Sequence, residues 1–343
     1  MRAVVLRAPG DVGVDTVPEP ELRDAADAIV RVSATAICGA DLFPFHGFTP
    51  GFENGTILGH EFTGTVVEAG ADVRRVQVGQ RVVCTSTISD GTCPHCRAGR
   101  VSQCQGRALF GYSGVYPRLD GGQAELVRVP AADRCLLPLD DAVSDEAAIF
   151  CADILPTGYA SVVRGGVGVG DTVVVLGCGP VGLMAVLCAV GVAGRVIAVD
   201  GIADRRELAE RLGAEPVGPA EAEELVLSAT GGLGADVVIE AAGVPAALDA
   251  GLRLARGRGM VSVVGAHFEP DYPLDNGLMF EKELTLRFTI GDPAHDRERL
   301  LGLVASGRLD PTPVITHRLA LADAAEGYRI FDAREATKVV LLP

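Results

Sequence analysis

The sequence predicts an α/β protein in which a β-rich segment is followed by a doubly wound parallel sheet. Residues 1–139 form short alternating or apolar runs between turn residues, which is typical of an all-β region. After about residue 170, strand-like and helix-like runs alternate, which indicates a parallel sheet with right-handed crossovers. The length of 343 residues suits about two domains.

The predicted elements of the first region are short runs separated by turn residues. Its predicted strands are 3–6, 28–34, 64–68, 81–85 and 124–129. A helix is predicted at 144–151 because Ser144 can cap it and two acidic residues follow in the first turn. A second helix is predicted at 156–163.

The second region opens on a glycine-rich turn between a strand and a helix. The strand 173–176 leads into Gly177, Gly179 and Gly182, spaced G-x-G-x-x-G. The first glycine permits the turn, the second lets backbone approach a pyrophosphate, and the third lets helix and strand pack closely. Pro180 and Val181 begin the helix, whose N-terminus attracts phosphate. These features predict a Rossmann dinucleotide site.

The composition of this stretch also allows two other interpretations. Residues 172–194 carry no charge and are long enough to span a membrane of about 20 residues, but Gly-Cys-Gly-Pro would break a spanning helix and no basic cluster flanks it. The other reading is a buried strand–helix unit without a ligand.

The cofactor preference follows from the strand 195–199, which ends on Asp200. An acidic side chain there bonds ribose hydroxyls and repels the extra phosphate of NADP, so NAD is predicted. Arg205 could also reach the adenosine ribose, or be a solvated helix charge. Backbone at 264–266, with Gly265, and at 289–291 is expected to line the nicotinamide end.

The alternation continues to the C-terminus. The predicted helices are 203–212, 219–229, 245–255, 295–305 and 322–331, and the predicted strands are 236–240, 260–265, 284–288 and 338–342. The last fifty or so residues do not extend the alternation cleanly.

The composition and net charge of the chain limit the classes of molecule that it is expected to bind and the compartment in which it is expected to occur. The formal net charge of −15 argues against nucleic acid and against an anionic membrane surface. The N-terminal apolar run is too short for a signal peptide, so we expect a cytoplasmic protein. Nine cysteines in such a protein are expected to be reduced thiols, some of them metal ligands.

Two groups of residues have the chemistry of zinc ligands. Cys38 follows a predicted strand and His60 precedes another, and a thiolate with an imidazole suits zinc. A catalytic zinc needs a third protein ligand, for which Asp153 is a candidate.

The second group lies in a glycine-rich loop and predicts a closed structural zinc. Its residues are Asp90, Cys93, Cys96 and Cys104, with Cys84 or His95 as substitutes for Asp90. A metal-free loop with free thiols is the alternative.

Taken together, Cys38, Gly59-His60-Glu61, the cysteine loop, Asp153–Gly158 and the glycine fingerprint resemble the zinc-dependent medium-chain dehydrogenase family over essentially the whole chain. The resemblance implies a GroES-like catalytic domain at 1–150, completed by 290–343, and a Rossmann NAD-binding domain at 151–289. It implies zinc ligands at Cys38, His60 and Asp153, with Glu61 as a carboxylate that either lies behind the ligands or exchanges onto the metal. It also implies a homodimer or homotetramer.

The chain departs from this family at its proton relay and its structural site. Ala40 and Phe43 stand where the family usually carries Ser or Thr and often His. Bound water, ribose hydroxyls or His46 could replace the relay, although His46 also reads as an ordinary loop histidine. Asp90 stands where the family usually has a cysteine.

The predicted activity is hydride transfer between NAD and an alcohol, which the resemblance widens to secondary alcohols, polyols, cyclitols and sugars. In this hypothesis zinc acts as a Lewis acid on the substrate oxygen. The alternatives are a metal-free, NADPH-linked enone or quinone reductase and a non-catalytic nucleotide-binding relative.

Overall fold

The computed structural model describes residues 1–269 and 271–343. Contacts between residues divide the chain into two units. Unit 1 contains Met1–Pro156 and Asp292–Pro343, and unit 2 contains Thr157–Gly291. The domain boundaries predicted from the sequence are 150/151 and 289/290.

The strands in chain order are β1 Arg2–Ala8, β2 Asp11–Thr16, β3 Ala28–Ile37, β4 Thr56–Ile57, β5 Glu61–Ala69, β6 Arg81–Cys84, β7 Thr87–Ile88, β8 Ala108–Leu109, β9 Leu126–Val129, β10 Leu136–Pro138, β11 Thr172–Leu176, β12 Arg195–Val199, β13 Glu215–Val217, β14 Ala235–Glu240, β15 Ala255–Val263, β16 Thr285–Phe288, β17 His317–Ala320 and β18 Val339–Leu342.

The α-helices are α1 Leu42–Phe45, α2 Pro94–Arg97, α3 Ala132–Cys135, α4 Asp145–Ala148, α5 Ile154–Arg164, α6 Pro180–Val190, α7 Ala203–Arg211, α8 Ala222–Ala229, α9 Pro245–Leu254, α10 Asn276–Glu281, α11 Pro293–Ala305 and α12 Ala324–Asp332. Short 3-10 helices include Gly39–Asp41 and Ile149–Ala152.

Unit 1 contains a sheet that joins the C-terminal strands β17 and β18 to strands from residues 28–138. The strand order is β10-β6-β5-β3-β18-β17, with β9 also pairing with β3. Strand β18, from the C-terminus, runs antiparallel to β3 and places Val339 opposite Ile37. A core of buried apolar residues including Phe62, Phe110 and Leu136 packs beneath this sheet. The last fifty residues therefore complete the first unit.

Unit 2 is a parallel sheet in the order β13-β12-β11-β14-β15-β16. Val173, Val174 and Val175 are fully buried, as expected for a central strand covered on both faces. The order reverses direction between β11 and β14, which is the crevice where ligands bind in such sheets. The predicted doubly wound α/β fold is confirmed.

Several elements differ from the sequence prediction. The predicted helix 144–151 is divided into α4 and the 3-10 helix Ile149–Ala152. Helix α11 begins two residues earlier than predicted, because the Asp292 side chain caps it at the His295 N–H and Pro293 occupies its first turn. Within 1–269 and 271–343, no single helix is both long and apolar enough to cross a membrane, whereas the bent pair Asp145–Ala152 and Ile154–Arg164 meets those criteria only when taken together.

Candidate metal centre and dinucleotide site

The first ligand group forms beside the ends of two neighbouring antiparallel strands, β3 and β5, inside the unit 1 sheet. Ala36 in β3 pairs with Glu61 in β5, so Cys38, just past β3, lies near His60, just before β5. Asp153 follows the 3-10 helix Ile149–Ala152 and reaches the same point. Residues far apart in sequence are thus brought together by strand register.

The ligand atoms of Cys38, His60, Glu61 and Asp153 all lie within 4.8 Å of one another. Asp153 Oδ2 is 3.9 Å from Cys38 Sγ and 3.6 Å from His60 Nε2. His60 Nε2 and Glu61 Oε1 are buried without a hydrogen-bond partner among the described residues. Buried acceptors aimed at one point, with sulfur, nitrogen and oxygen donors, fit a zinc ion.

Asp41 contacts two of these ligands, His60 and Cys38, on the side away from the other ligand atoms and so orients them. Its Oδ1 lies 3.2 Å from His60 Nδ1, and its Oδ2 accepts a 2.9 Å hydrogen bond from the Cys38 N–H. Burial lowers the pKa of His60, but the neighbouring carboxylate of Asp41 and the Cys38 sulfur raise it well above its ordinary value. A carboxylate behind a ligating imidazole fixes the ring and leaves Nε2 for the metal.

Ser86 holds the third ligand in place. Its Oγ donates a 2.8 Å hydrogen bond to Asp153 Oδ1, which leaves Oδ2 as the oxygen that faces Cys38 and His60. Burial tends to raise the pKa of Asp153, but hydrogen bonding and charge from His60 and the bond from Ser86 lower it. Asp153 is thus held in its anionic, metal-binding form.

Glu61 pairs with Lys338, and both side chains are fully buried. Burial and the nearby Asp153 raise the pKa of Glu61, whereas Lys338 and His60 oppose that rise. The pKa of Lys338 is raised: burial lowers it, but the charges of Glu61 and Cys38 outweigh burial. Burial also raises the pKa of the Cys38 thiol to about 11. Lys338 therefore supplies the positive charge that balances the buried carboxylate of Glu61.

Ala40, at one of the two relay positions, and His46, the predicted replacement for the relay, have different surroundings. The Tyr112 hydroxyl, on a buried side chain, donates to the Ala40 carbonyl and so braces the turn that follows Cys38. His46 is not part of the four-residue group. Its Nε2 lies 2.8 Å from Asp332 Oδ1, and both side chains are more than a third exposed. A relay role for His46 stays a prediction.

The second ligand group is also assembled. The ligand atoms of Asp90, Cys93, Cys96 and Cys104 lie within 4.8 Å of one another. Asp90 Oδ1 accepts hydrogen bonds from the N–H groups of Thr92 and Cys93, and its Oδ2 lies 3.2 Å from Cys104 Sγ. These backbone N–H groups, with the Cys104 thiol, lower the pKa of Asp90. Three sulfurs and an oxygen in a loop fit a closed zinc site.

The proposed substitutes for Asp90 are placed elsewhere. Cys84 is buried and its thiol contacts the Thr85 carbonyl, and His95 lies in α2. Neither belongs to the four-residue group in the described part of the chain.

The glycine-rich turn of unit 2 has the shape that a pyrophosphate requires. Gly177 has φ +91°, and a Cβ on Gly182 would lie 1.8 Å from the Gly177 carbonyl oxygen, so both positions need glycine. Gly179 caps α6, followed by Pro180 and Val181 in its first turn. A Cβ on Gly179 would meet only Arg205 Nη1, at 4.0 Å, which leaves the helix N-terminus open to a phosphate.

Asp200 ends β12 beside that turn. Its Oδ2 accepts a 2.8 Å hydrogen bond from the Cys178 N–H, and its Oδ1 accepts one from the Ile202 N–H. Arg205 Nη1 lies 4.0 Å from Asp200 Oδ2. Gly265 follows β15 and packs against Gly243, where a Cβ would come within 2.4 Å of the backbone nitrogen.

Sequence reasoning missed several residues that support the metal group: Asp41, Ser86, Gln123 and Lys338. Asp41 had a signal, because it stands three residues after Cys38. Lys338 also had one, because it is a charge at the start of the apolar run that forms β18. Ser86 and Gln123 had no sequence signal. Gln123 Nε2 donates to Asp41 Oδ2 at 3.3 Å, a contact that only the fold creates.

Comparison with known proteins gives consistent matches. Residues 24–141 match the family described as alcohol dehydrogenase GroES-like domain, and residues 180–306 match zinc-binding dehydrogenase. A probable zinc-binding alcohol dehydrogenase of Mycobacterium tuberculosis is 39% identical over 99% of this chain and 87% of its own length.

Solved structures agree in fold over the whole chain. An alcohol dehydrogenase from Thermus sp. ATN1 is 40% identical with a TM-score of 0.95, covering 100% of this chain and 99% of its own. A structure described as a putative zinc-binding dehydrogenase from Sinorhizobium meliloti 1021 bound to NADP is 32% identical with a TM-score of 0.88, covering 100% of this chain and 99% of its own. The expected GroES-like and Rossmann domains are confirmed.

Proposed function

Because the chain belongs to the zinc-binding alcohol dehydrogenase family, we propose that it transfers a hydride between NAD and a secondary alcohol, polyol, cyclitol or sugar hydroxyl. The observation that carries this proposal is the convergence of Cys38, His60 and Asp153 ligand atoms in one buried group. Oxidation of the alcohol releases one hydride and one proton and leaves a carbonyl compound.

When bound, zinc supplies a Lewis acid that lowers the pKa of the substrate hydroxyl, and NAD supplies the hydride acceptor. The residues of the chain hold and orient these groups. Cys38, His60 and Asp153 are the ligands, and the thiolate and carboxylate together balance the two positive charges of the ion. Asp41 and Ser86 fix the ring of His60 and the carboxylate of Asp153.

The preference for NAD over NADP rests on Asp200. Its carboxylate is held by two backbone N–H groups at the end of β12, where the adenosine ribose lies in this fold. A 2′-phosphate there would meet a fixed negative charge. Arg205, 4.0 Å away, tempers this repulsion, so we expect a preference for NAD rather than complete exclusion of NADP.

We also infer a homo-oligomer. Strand β16 is an open edge of the unit 2 sheet, and Phe280, Phe288 and Ile290 are exposed around it. An apolar edge of this kind favours pairing with a second copy of the chain. Phe288→Arg should shift the mass measured by light scattering toward the monomer, and an unchanged mass would contradict this.

The metal-binding thiols also require a reducing compartment, which is consistent with the cytoplasm.

The central test is a panel of alcohols, polyols, cyclitols and sugars assayed with NAD and with NADP by absorbance of the reduced cofactor. We expect turnover with NAD that is lost after chelation and restored by zinc. Cys38→Ser and Asp153→Asn should lose zinc and activity together, whereas the control Cys188→Ala, in α6, should lose neither. Turnover of enones with NADPH that is indifferent to chelator would favour the metal-free reductase instead.

A further inference from the structure

Glu240 connects two loops at the cofactor edge of the unit 2 sheet. It is the last residue of β14 and is fully buried. Its Oε1 accepts hydrogen bonds from the Ala242 N–H at 2.9 Å and the Gly243 N–H at 2.8 Å. Its backbone carbonyl accepts from the N–H groups of Val264 and Gly265 at 2.8 and 2.9 Å. The same residue therefore holds the turn after β14 and the turn after β15.

His267 closes the arrangement from the second loop. Its Nε2 lies 3.0 Å from Glu240 Oε2, and its side chain is only 11% exposed. Its Nδ1 lies 3.6 Å from the half-exposed carboxylate of Glu269, and its ring meets the edge of Phe288 at a centroid distance of 6.4 Å. The imidazole thus ties the loop after β15 to a buried carboxylate.

The loops joined by this pair are packed without spare room. A Cβ on Gly265 would lie 2.7 Å from Glu240 Oε2, and a Cβ on Gly243 would lie 2.8 Å from the Ala266 carbonyl. A Cβ on Gly177 would lie 2.8 Å from the Ala242 nitrogen. The pyrophosphate turn, the turn after β14 and the turn after β15 therefore form one close-packed surface.

The position of this surface identifies the part of the cofactor it meets. The strand order reverses between β11 and β14, and a dinucleotide crosses the sheet there. Asp200, at the end of β12, marks the adenosine half, so the nicotinamide half extends over the ends of β14 and β15.

We propose that Glu240 and His267 are positioning residues for the nicotinamide half of the dinucleotide: their contact fixes the loop 264–267 and so sets affinity for that half alone. This inference rests on the proposed function, since it presumes that a nicotinamide dinucleotide binds. The adenosine half is expected at the turn Gly177–Gly182 and Asp200, whereas the Glu240 side chain bonds Ala242, Gly243 and His267. Loss of the contact between Glu240 and His267 should therefore weaken binding of the nicotinamide half and leave binding of the adenosine half unchanged.

The experiment compares two ligands on the zinc-loaded enzyme: AMP, which carries only the adenosine half, and NADH, which carries both. AMP binding is measured by calorimetry and NADH binding by its fluorescence. In His267→Phe, which keeps a ring but removes Nε2, we expect NADH to bind about tenfold more weakly, because loop 264–267 must then be ordered when the ligand binds. AMP affinity should stay as in the wild type. Tm should fall, because Glu240 Oε2 loses its buried partner, so each variant is measured well below its own Tm.

Two further variants sharpen the test. His267→Gln can donate a side-chain N–H to Glu240 and should recover part of the NADH affinity. Glu269→Gln removes the more distant, exposed carboxylate and serves as the matched control, with NADH affinity expected within about twofold of the wild type. In turnover, His267→Phe should raise KM for NAD more than it lowers kcat.

The outcomes separate this inference from the proposed function. A wild-type protein that binds neither NADH nor NADPH refutes the proposed function. A wild-type protein that binds NADH while His267→Phe binds it equally well overturns the positioning role alone. Equal weakening of AMP and NADH binding also overturns it, because the pair would then support the unit as a whole.

Discussion

Lys338 lies fully buried against Glu61, with its ammonium in contact with Glu61 Oε2 and donating a 3.2 Å hydrogen bond to the Ile37 carbonyl. Lys338 stands immediately before β18, the C-terminal strand that pairs with β3. The contact therefore joins the last residues of the chain to the segment that carries His60. Two charges can be buried together here because each compensates the other.

Replacing Lys338 with Met should destabilise unit 1 strongly, since it leaves the Glu61 carboxylate buried without its counter-charge. We expect a loss of about 3–5 kcal/mol in the free energy of unfolding, measured by urea denaturation. Lys338→Arg keeps the charge and should lose much less. The double variant Lys338→Met with Glu61→Gln should recover part of the loss, and a single variant as stable as the wild type would contradict the role of the pair.

Ser86→Ala should weaken zinc binding without unfolding the protein. The substitution removes the 2.8 Å hydrogen bond that turns Asp153 Oδ2 toward the other ligands. Outer partners of metal ligands typically contribute about 10–100-fold in affinity. Competition with a chromogenic chelator measures the change, with the exposed Ser306→Ala as control. Equal zinc retention in both variants would show that Asp153 needs no such support.

The fold was largely predictable because its signals are local. The run Val173–Leu176 followed by Gly177, Gly179 and Gly182 carries its own strand, turn and helix chemistry. Of the two edge strands of unit 2, β16 lies within the predicted strand 284–288, whereas β13 was not predicted. Strand β13, Glu215–Val217, is only half-buried and has no alternation, and it forms because β12 offers it a partner. Such strands are consequences of the sheet and have no pattern of their own.

The metal group was predictable only as a set of residue types. Cys38 and His60 stood beside predicted strands, so their approach could be argued from the ends of neighbouring strands. The residues that support these ligands could not be predicted in this way. Ser86 meets Asp153, and Lys338 meets Glu61, across 67 and 277 residues of sequence. Sequence does not encode which distant hydroxyl or ammonium will face a carboxylate, because strand register decides it.

Asp236 provides a pH-dependent test of unit 2. Its carboxylate accepts hydrogen bonds from Arg256 Nε at 2.7 Å and from the Thr172 N–H at 2.8 Å. Burial tends to raise the pKa of Asp236, but these contacts lower it overall. A depressed carboxyl pKa stabilises the folded state above the unfolded pKa, and this stability is lost as pH falls through the folded pKa.

Asp236→Asn should therefore lower the free energy of unfolding by about 0.5–1 kcal/mol at neutral pH, a modest value because the pair is partly exposed. The difference from the wild type should stay constant from about pH 8 to pH 5 and shrink only below about pH 4. Urea unfolding at several pH values measures it. Glu283→Gln, in the exposed pair with Arg258, is the control and should change stability less. If the difference in the free energy of unfolding between Asp236→Asn and the wild type grew as the pH fell, the pKa of Asp236 would be raised in the folded state and not lowered.

Asp90→Cys should make the second metal site hold zinc more tightly, because a fourth thiolate replaces a single carboxylate oxygen beside Cys93, Cys96 and Cys104. Elemental analysis should find two zinc ions per wild-type chain and, in Asp90→Ala, one. Under a graded chelator, the loop zinc of Asp90→Cys should leave last, while zinc at Cys38 leaves as in the wild type. Thermal unfolding should follow the same order, with Asp90→Ala lowest. Identical zinc content and chelator sensitivity in all three proteins would mean that this loop folds without a metal and that its cysteines are free thiols.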